Sequence, residues 1–132
     1  MTDTPGAEPT APSPYPRPLR LAHRGDHRRH LENTLAAFRA ALAVSGCDGL
    51  ELDVRGSRDG VPIVLHDATL ARVLGRPERA VQLTAAELGA LGVPTLAAVL
   101  AAAAPPAFLD IELKEDLGEA VVHVLRSARG PN

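Results

Sequence analysis

The sequence predicts an α/β fold with a mainly parallel sheet, and three observations predict it. Short apolar runs that read as strands alternate with longer runs at helical spacing. Turn and stop residues punctuate the alternation. Each of four strand-like runs carries ionisable side chains at its end, as expected of a sheet whose strand ends share one edge, where open α/β sheets and α/β barrels place their sites.

The elements follow in order. Residues 1–18 hold six of the twelve prolines and little that could pack, which predicts a disordered or extended tail and a fold beginning near Leu19. "LRLAH" (19–23) reads as a strand. "NTLAAFRAALAVSG" (33–46) reads as a helix capped by Asn33 or Thr34 and stopped by Gly46, with Leu35, Phe38 and Leu42 at helical spacing. "GLELDV" (49–54) is a second strand, and "VPIVLH" (61–66) a third, reached through the turn-rich "RGSRDG". "TAAE" (84–87) matches a capping box at the start of a short helix. "TLAAVLAAAA" (95–104) is a helix between Pro94 and Pro105-Pro106, because proline cannot continue the amide ladder. "AFLDIELK" (107–114) is a fourth strand, and 116–130 a final helix weakened by Gly118.

Composition narrows the function classes. A chain of 132 residues, 45% of them hydrophobic, can bury one core and is too short for two ordinary domains. A formal net charge of −2 provides no overall basic field, which disfavours nucleic acid and anionic lipid as partners. The single cysteine, Cys47, excludes an intrachain disulfide framework and fits a reducing compartment, so the expected location is cytoplasmic. No apolar run approaches the ~20 residues of a membrane span, and the N-terminus lacks the basic-then-apolar order of a secretory signal.

The chemistry lies in the strand ends. The first strand ends in His23-Arg24, the second carries Glu51 and Asp53, the third ends in His66-Asp67, and the fourth carries Glu112 and Lys114. Alternation puts Glu51 and Asp53 on one face, opposite Leu50, Leu52 and Val54, and likewise sets Glu112 and Lys114 opposite Ile111 and Leu113. At about 5 Å and an effective dielectric of 20, each like-charged pair costs on the order of 3 kcal/mol, so three gathered carboxylates call for a cation. A divalent ion held by Glu51, Asp53 and Glu112 is therefore inferred, and an all-carboxylate set points to Mg²⁺ or Ca²⁺ rather than zinc. Lys114 is the only lysine beside thirteen arginines, and its compact ammonium suits a place beside phosphate or metal. His23 and His66 supply imidazoles that take and give protons near neutrality, both of which phosphodiester cleavage requires, while Arg24 and Lys114 would hold the phosphoryl oxygens.

"HRG" at 23–25, "ENTLAAF" at 32–38, "ELDV" at 51–54, "DGVPIVLHD" at 59–67, "PTL" at 94–96 and "IELK" at 111–114 together resemble the glycerophosphodiester phosphodiesterase family, in order and spacing, across roughly residues 20–115. The resemblance implies a metal-dependent hydrolase releasing glycerol 3-phosphate and an alcohol such as choline or ethanolamine from deacylated phospholipids. It implies an acid/base pair in His23 and His66, metal ligands in Glu51, Asp53 and Glu112, and phosphate contacts from Arg24 and Lys114. Leu31 stands where the family usually has proline before Glu-Asn-Thr, which should loosen the loop entry without removing chemistry.

The family fold is an eight-stranded (β/α) barrel of about 250 residues, so four predicted strands make residues 19–132 a partial TIM-type barrel, its N-terminal half. An open half barrel exposes two strand edges and an apolar interior. Three outcomes are open: a homodimer whose copies complete one another, a flattened sheet that binds something else, or a fragment of a longer gene. A binding or assembly module without turnover is the alternative to the enzyme.

The remaining polar residues have plainer expectations. His27, His30, Arg28 and Arg29 form a charged, solvated loop, and His123 lies on the solvent face of the last helix. Asn33 is a helix cap or a site residue, and Asp67 anchors His66 or opens a turn. Asp110 is structural, Asp59-Gly60 a turn, and Cys47 a small core residue.

Overall fold

The structure, a computed structural model, describes residues 17–103 and 107–129 of the chain. β2 (Gly49–Gly56) is the strand about which the rest is assembled, because it pairs along both of its edges. β1 (Leu21–His23) runs parallel to its first residues, with Leu21 opposite Gly49 and His23 opposite Glu51. β4 (Phe108–Leu113) runs parallel along the other edge, from Gly49 opposite Phe108 to Val54 opposite Leu113. The predicted alternation holds on β2: Leu50, Leu52 and Val54 are fully buried beneath the helices, which leaves Glu51 and Asp53 to the opposite face.

The third strand departs from the expected parallel order. β3 (Pro62–Val64) is antiparallel to β2, with Val54 opposite Val64 and Gly56 opposite Pro62. The reason is chain length. Only residues 57–61 separate the two strands, and so short a link makes a hairpin, whereas a parallel return needs a crossover of a dozen residues or more. The predicted Asp59-Gly60 turn makes this hairpin: the Ser57 hydroxyl donates to Asp59, and Gly60 adopts φ +75°. Because β2 overshoots its parallel neighbours, the hairpin brings the chain back beside Asp53, where the Leu65 amide donates to the Asp53 carbonyl at 3.0 Å. The parallel wall thus runs β1, β2, β4, and β3 pairs with the far end of β2 on the edge that β1 occupies at the near end.

Among the described residues, three helices pack on the face of β2 that carries Leu50, Leu52 and Val54, and two shorter helices lie in the 62–93 segment. α1 (Leu35–Leu42) is capped by Thr34, whose hydroxyl oxygen accepts from the Ala37 amide, so of the two candidate caps Asn33 is released for another task. α2 (Ala71–Leu74) and a 3-10 turn at Ala80–Gln82 escaped the sequence reading, being too short to carry a periodic signal. α3 (Ala85–Ala90) begins with the predicted capping box of Thr84 and Glu87, and α4 (Leu96–Ala102) with a Thr95 cap. The predicted stop at Pro105-Pro106 lies outside the described residues. α5 (Gly118–Arg129) starts at Gly118, which therefore opens the helix rather than interrupting it.

Two clusters hold these layers. Phe38, Leu50, Leu52, Val54, Leu96, Val99 and Val121 join β2 to α1, α4 and α5, and Ile63, Leu65, Leu70, Leu88 and Val93 form a second cluster within the 62–93 segment. Each fully buried large side chain contributes about 1.5–3 kcal/mol. Most of the expected tail lies outside the described residues, but Arg17 is docked, its guanidinium donating twice to Asp48 at 2.8 Å.

Gly49 shows how closely β2 and β4 approach: a Cβ there would lie 1.9 Å from the Phe108 carbonyl oxygen. Gly49→Ala should therefore destabilise the chain by about 1–3 kcal/mol or more in urea unfolding. Gly89→Ala, in α3 with open space around it, should stabilise by about 0.5–1 kcal/mol in the same measurement.

Candidate active site

The site grows from the far end of β2. Asp53 is 1% exposed, and its Oδ2 accepts from Asn33 Nδ2 at 3.1 Å and faces Arg24 Nε at 3.4 Å. Those two contacts hold one carboxylate oxygen on the protein side. The other, Oδ1, has no hydrogen-bond partner and sits 3.9 Å from Lys114 Nζ.

Arg24 and Asn33 reach this position through unusual backbone. Among the described residues they are the non-glycine residues of positive φ, at +60° and +55°, and the Asn33 amide donates to the Arg24 carbonyl at 2.9 Å, closing the loop between β1 and α1 on itself. Strain of this kind costs of order 1–3 kcal/mol per residue and collects at functional sites. Gly25 is required beside them, since its φ is +81° and a Cβ would meet Ala37 at 2.8 Å. The "HRG" and "ENT" signatures are thus the two ends of one closed loop.

Glu51 and Glu112 flank Asp53 on the same face of the sheet. One carboxylate oxygen from each of Glu51, Asp53 and Glu112 lies within 4.8 Å of the others. Burial, and then the Asp53 charge, push the Glu51 carboxyl above its ordinary range, and its Oε2 is buried without a hydrogen-bond partner. Glu112 is 54% exposed, and a 2.8 Å hydrogen bond from Lys114 Nζ draws its carboxyl below the ordinary range. Two buried acceptors without donors, Asp53 Oδ1 and Glu51 Oε2, are what a dication relieves, and with the exposed Glu112 carboxylate beside them the three residues fit the inferred ion.

Both histidines border the cluster. His23 Nε2 is 3.5 Å from Glu51 Oε2. His66 follows Leu65, whose amide reaches the Asp53 carbonyl, and places Nδ1 2.6 Å from Asp67 Oδ1. Asp67 therefore anchors His66, one of the two readings open for it. It is itself gripped by Arg72, whose Nε donates to Oδ2 at 2.9 Å, and the Asp67 carboxyl falls far below its ordinary range because of Arg72 first and His66 second. Arg72 also donates to both oxygens of Glu32, at 2.6 and 2.9 Å, and Glu32 accepts from Arg24 at 3.2 Å.

All seven predicted site residues therefore meet in one zone. β3 contributes for a different reason than expected: it runs against β2, yet its end still arrives at Asp53. The sequence reading missed Glu32 and Arg72 and left Asn33 undecided. Glu32 and Asn33 stood inside a quoted signature, whereas Arg72 carried no signal, because its partners lie in separate loops. His27, His30 and His123 are exposed as expected, and Cys47 packs partly buried against the core with Sγ 3.2 Å from the Gly49 carbonyl. Asp110 is exposed on β4, in register with Glu51.

A parallel α/β wall bearing a carboxylate triad, flanking imidazoles and a guanidinium defines a site suited to a phosphate ester and a divalent ion. Comparison with known proteins agrees. The glycerophosphoryl diester phosphodiesterase family model matches residues 23–124, and the chain belongs to that family. A glycerophosphodiester phosphodiesterase of Caldanaerobacter subterraneus is 50% identical over 54 residues, which are 41% of this chain and 22% of that protein. Glycerophosphodiester phosphodiesterase 1 of Rattus norvegicus is 44% identical over 71 residues, 54% of this chain and 21% of the relative. The crystal structure of a glycerophosphodiester phosphodiesterase from Thermotoga maritima superposes with a TM-score of 0.81 at 34% identity, covering 88% of this chain and 53% of that one. A phosphodiesterase from Oleispira antarctica, solved with the product sn-glycerol-3-phosphate, gives 0.72 at 29% identity over 84% of this chain and 53% of its own. The chain thus spans about half the length of these solved relatives.

Two predictions come from the charges. Glu32 and Asp67 have folded-state pKa values below their unfolded ones, so they stabilise the fold above the ordinary carboxylate range and lose that contribution as pH falls through it. Thermal unfolding followed from pH 7 to pH 3 should show a falling Tm below about pH 5, with a shallower fall in Glu32→Gln. Glu51 has the opposite sign, raised in the fold, so its ionised form is costly at neutral pH. Ion-free Glu51→Gln should melt above the wild-type chain at pH 7 in the same assay.

Proposed function

We propose that the site hydrolyses glycerophosphodiesters to glycerol 3-phosphate and an alcohol, using a divalent ion and acid/base catalysis by His23 and His66. The observation that carries this reading is the convergence of three carboxylate oxygens within 4.8 Å, with the His23 imidazole 3.5 Å from the Glu51 carboxylate. Membership of the phosphodiesterase family supports it.

Glu51, Asp53 and Glu112 would hold the ion, Mg²⁺ or Ca²⁺ by their hard oxygen donors. When bound, it supplies positive charge to polarise the phosphoryl group. The chain's own residues do the rest. Asp67, kept ionised by Arg72, accepts from His66 Nδ1 and so places the imidazole proton there, leaving Nε2 free to exchange a proton with substrate. His23, on the opposite flank beside Glu51, completes the pair: one imidazole takes the proton of the attacking oxygen and the other gives one to the departing alkoxide. Lys114 and Arg24 bring cationic groups to the carboxylate cluster, where phosphoryl oxygens would lie. A cytoplasmic setting belongs to the same reading, supported by the free thiol of Cys47. Among the described residues no helix is long and apolar enough to cross a membrane.

Binding without turnover is the second reading, favoured by the exposure of Glu112 and by the short parallel wall.

The purified chain with millimolar Mg²⁺ or Ca²⁺ should release glycerol 3-phosphate from glycerophosphocholine or glycerophosphoethanolamine, lose the activity in EDTA, and lose about 10²–10⁴ of it in His23→Ala or His66→Ala. Release unaffected by EDTA refutes the reading. Ion-dependent thermal stabilisation without release supports the second one.

A further inference from the structure

We propose that Arg72 is a positioning residue that sets His66 through Asp67 and Arg24 through Glu32, holding the proton-transfer and phosphate-binding groups in one register. The inference rests on the phosphodiesterase reading of the site and names a residue whose place no local sequence pattern gives away.

The geometry is a continuous relay of charge-assisted hydrogen bonds. Arg72 Nε and Nη2 donate to Asp67 Oδ2 and Oδ1 at 2.9 and 3.0 Å. Its Nη1 and Nη2 donate to Glu32 Oε1 and Oε2 at 2.6 and 2.9 Å. One guanidinium therefore grips two carboxylates from separate loops, each at both oxygens. Asp67 passes the constraint to His66 Nδ1 at 2.6 Å, and Glu32 passes it to Arg24 Nη1 at 3.2 Å. Arg24 in turn stands 3.4 Å from Asp53.

Three physical points assign the role to Arg72 in particular. First, without a cation between them Glu32 and Asp67 are two carboxylates that repel, so both would turn outward toward water. His66 would then lose the acceptor that fixes its tautomer and ring plane, and Arg24 would lose the acceptor that keeps its guanidinium over Asp53. Second, Arg72 donates four hydrogen bonds, one to each carboxylate oxygen, and an ammonium with three N–H donors and no planar fork cannot reproduce that grip. Third, α2 is a single turn anchored by buried Leu70 and closed by Gly75 in the left-handed region, so Arg72 projects from a pinned element rather than a frayed one. Arg76 offers a contrast four residues on: its ion pair is with Glu78 in the same loop, and among the described residues it makes no ion pair with a site residue.

The test uses the whole chain as wild type, Arg72→Gln, Arg72→Lys and Arg76→Gln, with far-UV circular dichroism to verify folding. Two readouts are taken: the ¹⁵N shifts of the His66 imidazole, assigned by comparison with His66→Gln, and kcat and KM on glycerophosphoethanolamine with Mg²⁺. In wild type His66 should be the Nδ1–H tautomer. Arg72→Gln should give a mixed tautomer and a kcat lower by about 10- to 100-fold, with KM changed less. Arg72→Lys should recover only part of both, and Arg76→Gln should match wild type in each. A wild-type His66 signature together with wild-type kcat in Arg72→Gln overturns the proposal. So does full recovery in Arg72→Lys, which also decides the matter if the glutamine variant fails to fold. A wild-type chain that hydrolyses nothing refutes the phosphodiesterase reading instead, and the imidazole signature then judges Arg72 by itself.

Discussion

Everything at the site is arranged around one buried carboxylate. Asp53 lies on the strand that pairs with all the others, and its removal from water requires polar neighbours on every open side. Asn33 and Arg24 answer from the loop after β1, Lys114 from the end of β4, and the Leu65 amide binds the Asp53 main chain from β3. The partners come from three separate segments, so satisfying Asp53 and assembling the site are the same act. The positive φ values of Arg24 and Asn33 are the local strain that this convergence imposes.

The satisfaction is deliberately incomplete on one side. Asp53 Oδ1 and Glu51 Oε2 are buried without hydrogen-bond partners, and Glu51 is further burdened by its neighbour's charge. A fold selected for stability alone would place an amide or an apolar group there. Below them, on the other face of β2, Leu50, Leu52 and Val54 are wholly buried, and their packing against the helices offsets the electrostatic cost. One strand thus carries the core on one face and the chemistry on the other.

The short antiparallel β3 solves a placement problem. His66 must stand beside strands that run the opposite way, and a hairpin at the overshooting end of β2 delivers it with five linking residues instead of a helical crossover. The 62–93 segment then packs as its own small cluster, with Leu70 and Leu88 at its centre, and carries Arg72 to Glu32. Among the described residues the parallel wall has β1 and β4 at its borders, and the chain spans about half the length of the solved relative from Thermotoga maritima.

Much of this was legible in the residues. Alternation on "GLELDV" separated core from chemistry, Thr84 and Glu87 announced a helix start, and the ionisable strand ends named seven side chains that the structure brings into one zone, because each of these signals is local and follows from backbone geometry. The sense of β3, the choice of Thr34 over Asn33 as a cap, and the grip of Arg72 on Glu32 and Asp67 were decided only in three dimensions. By itself the sequence determined which side chains share a strand face and where helices begin, since periodicity and capping act over a few residues. Tertiary structure decided which distant charges meet, because an ion pair across forty positions depends on how loops are carried by the sheet and leaves no periodic trace in the chain.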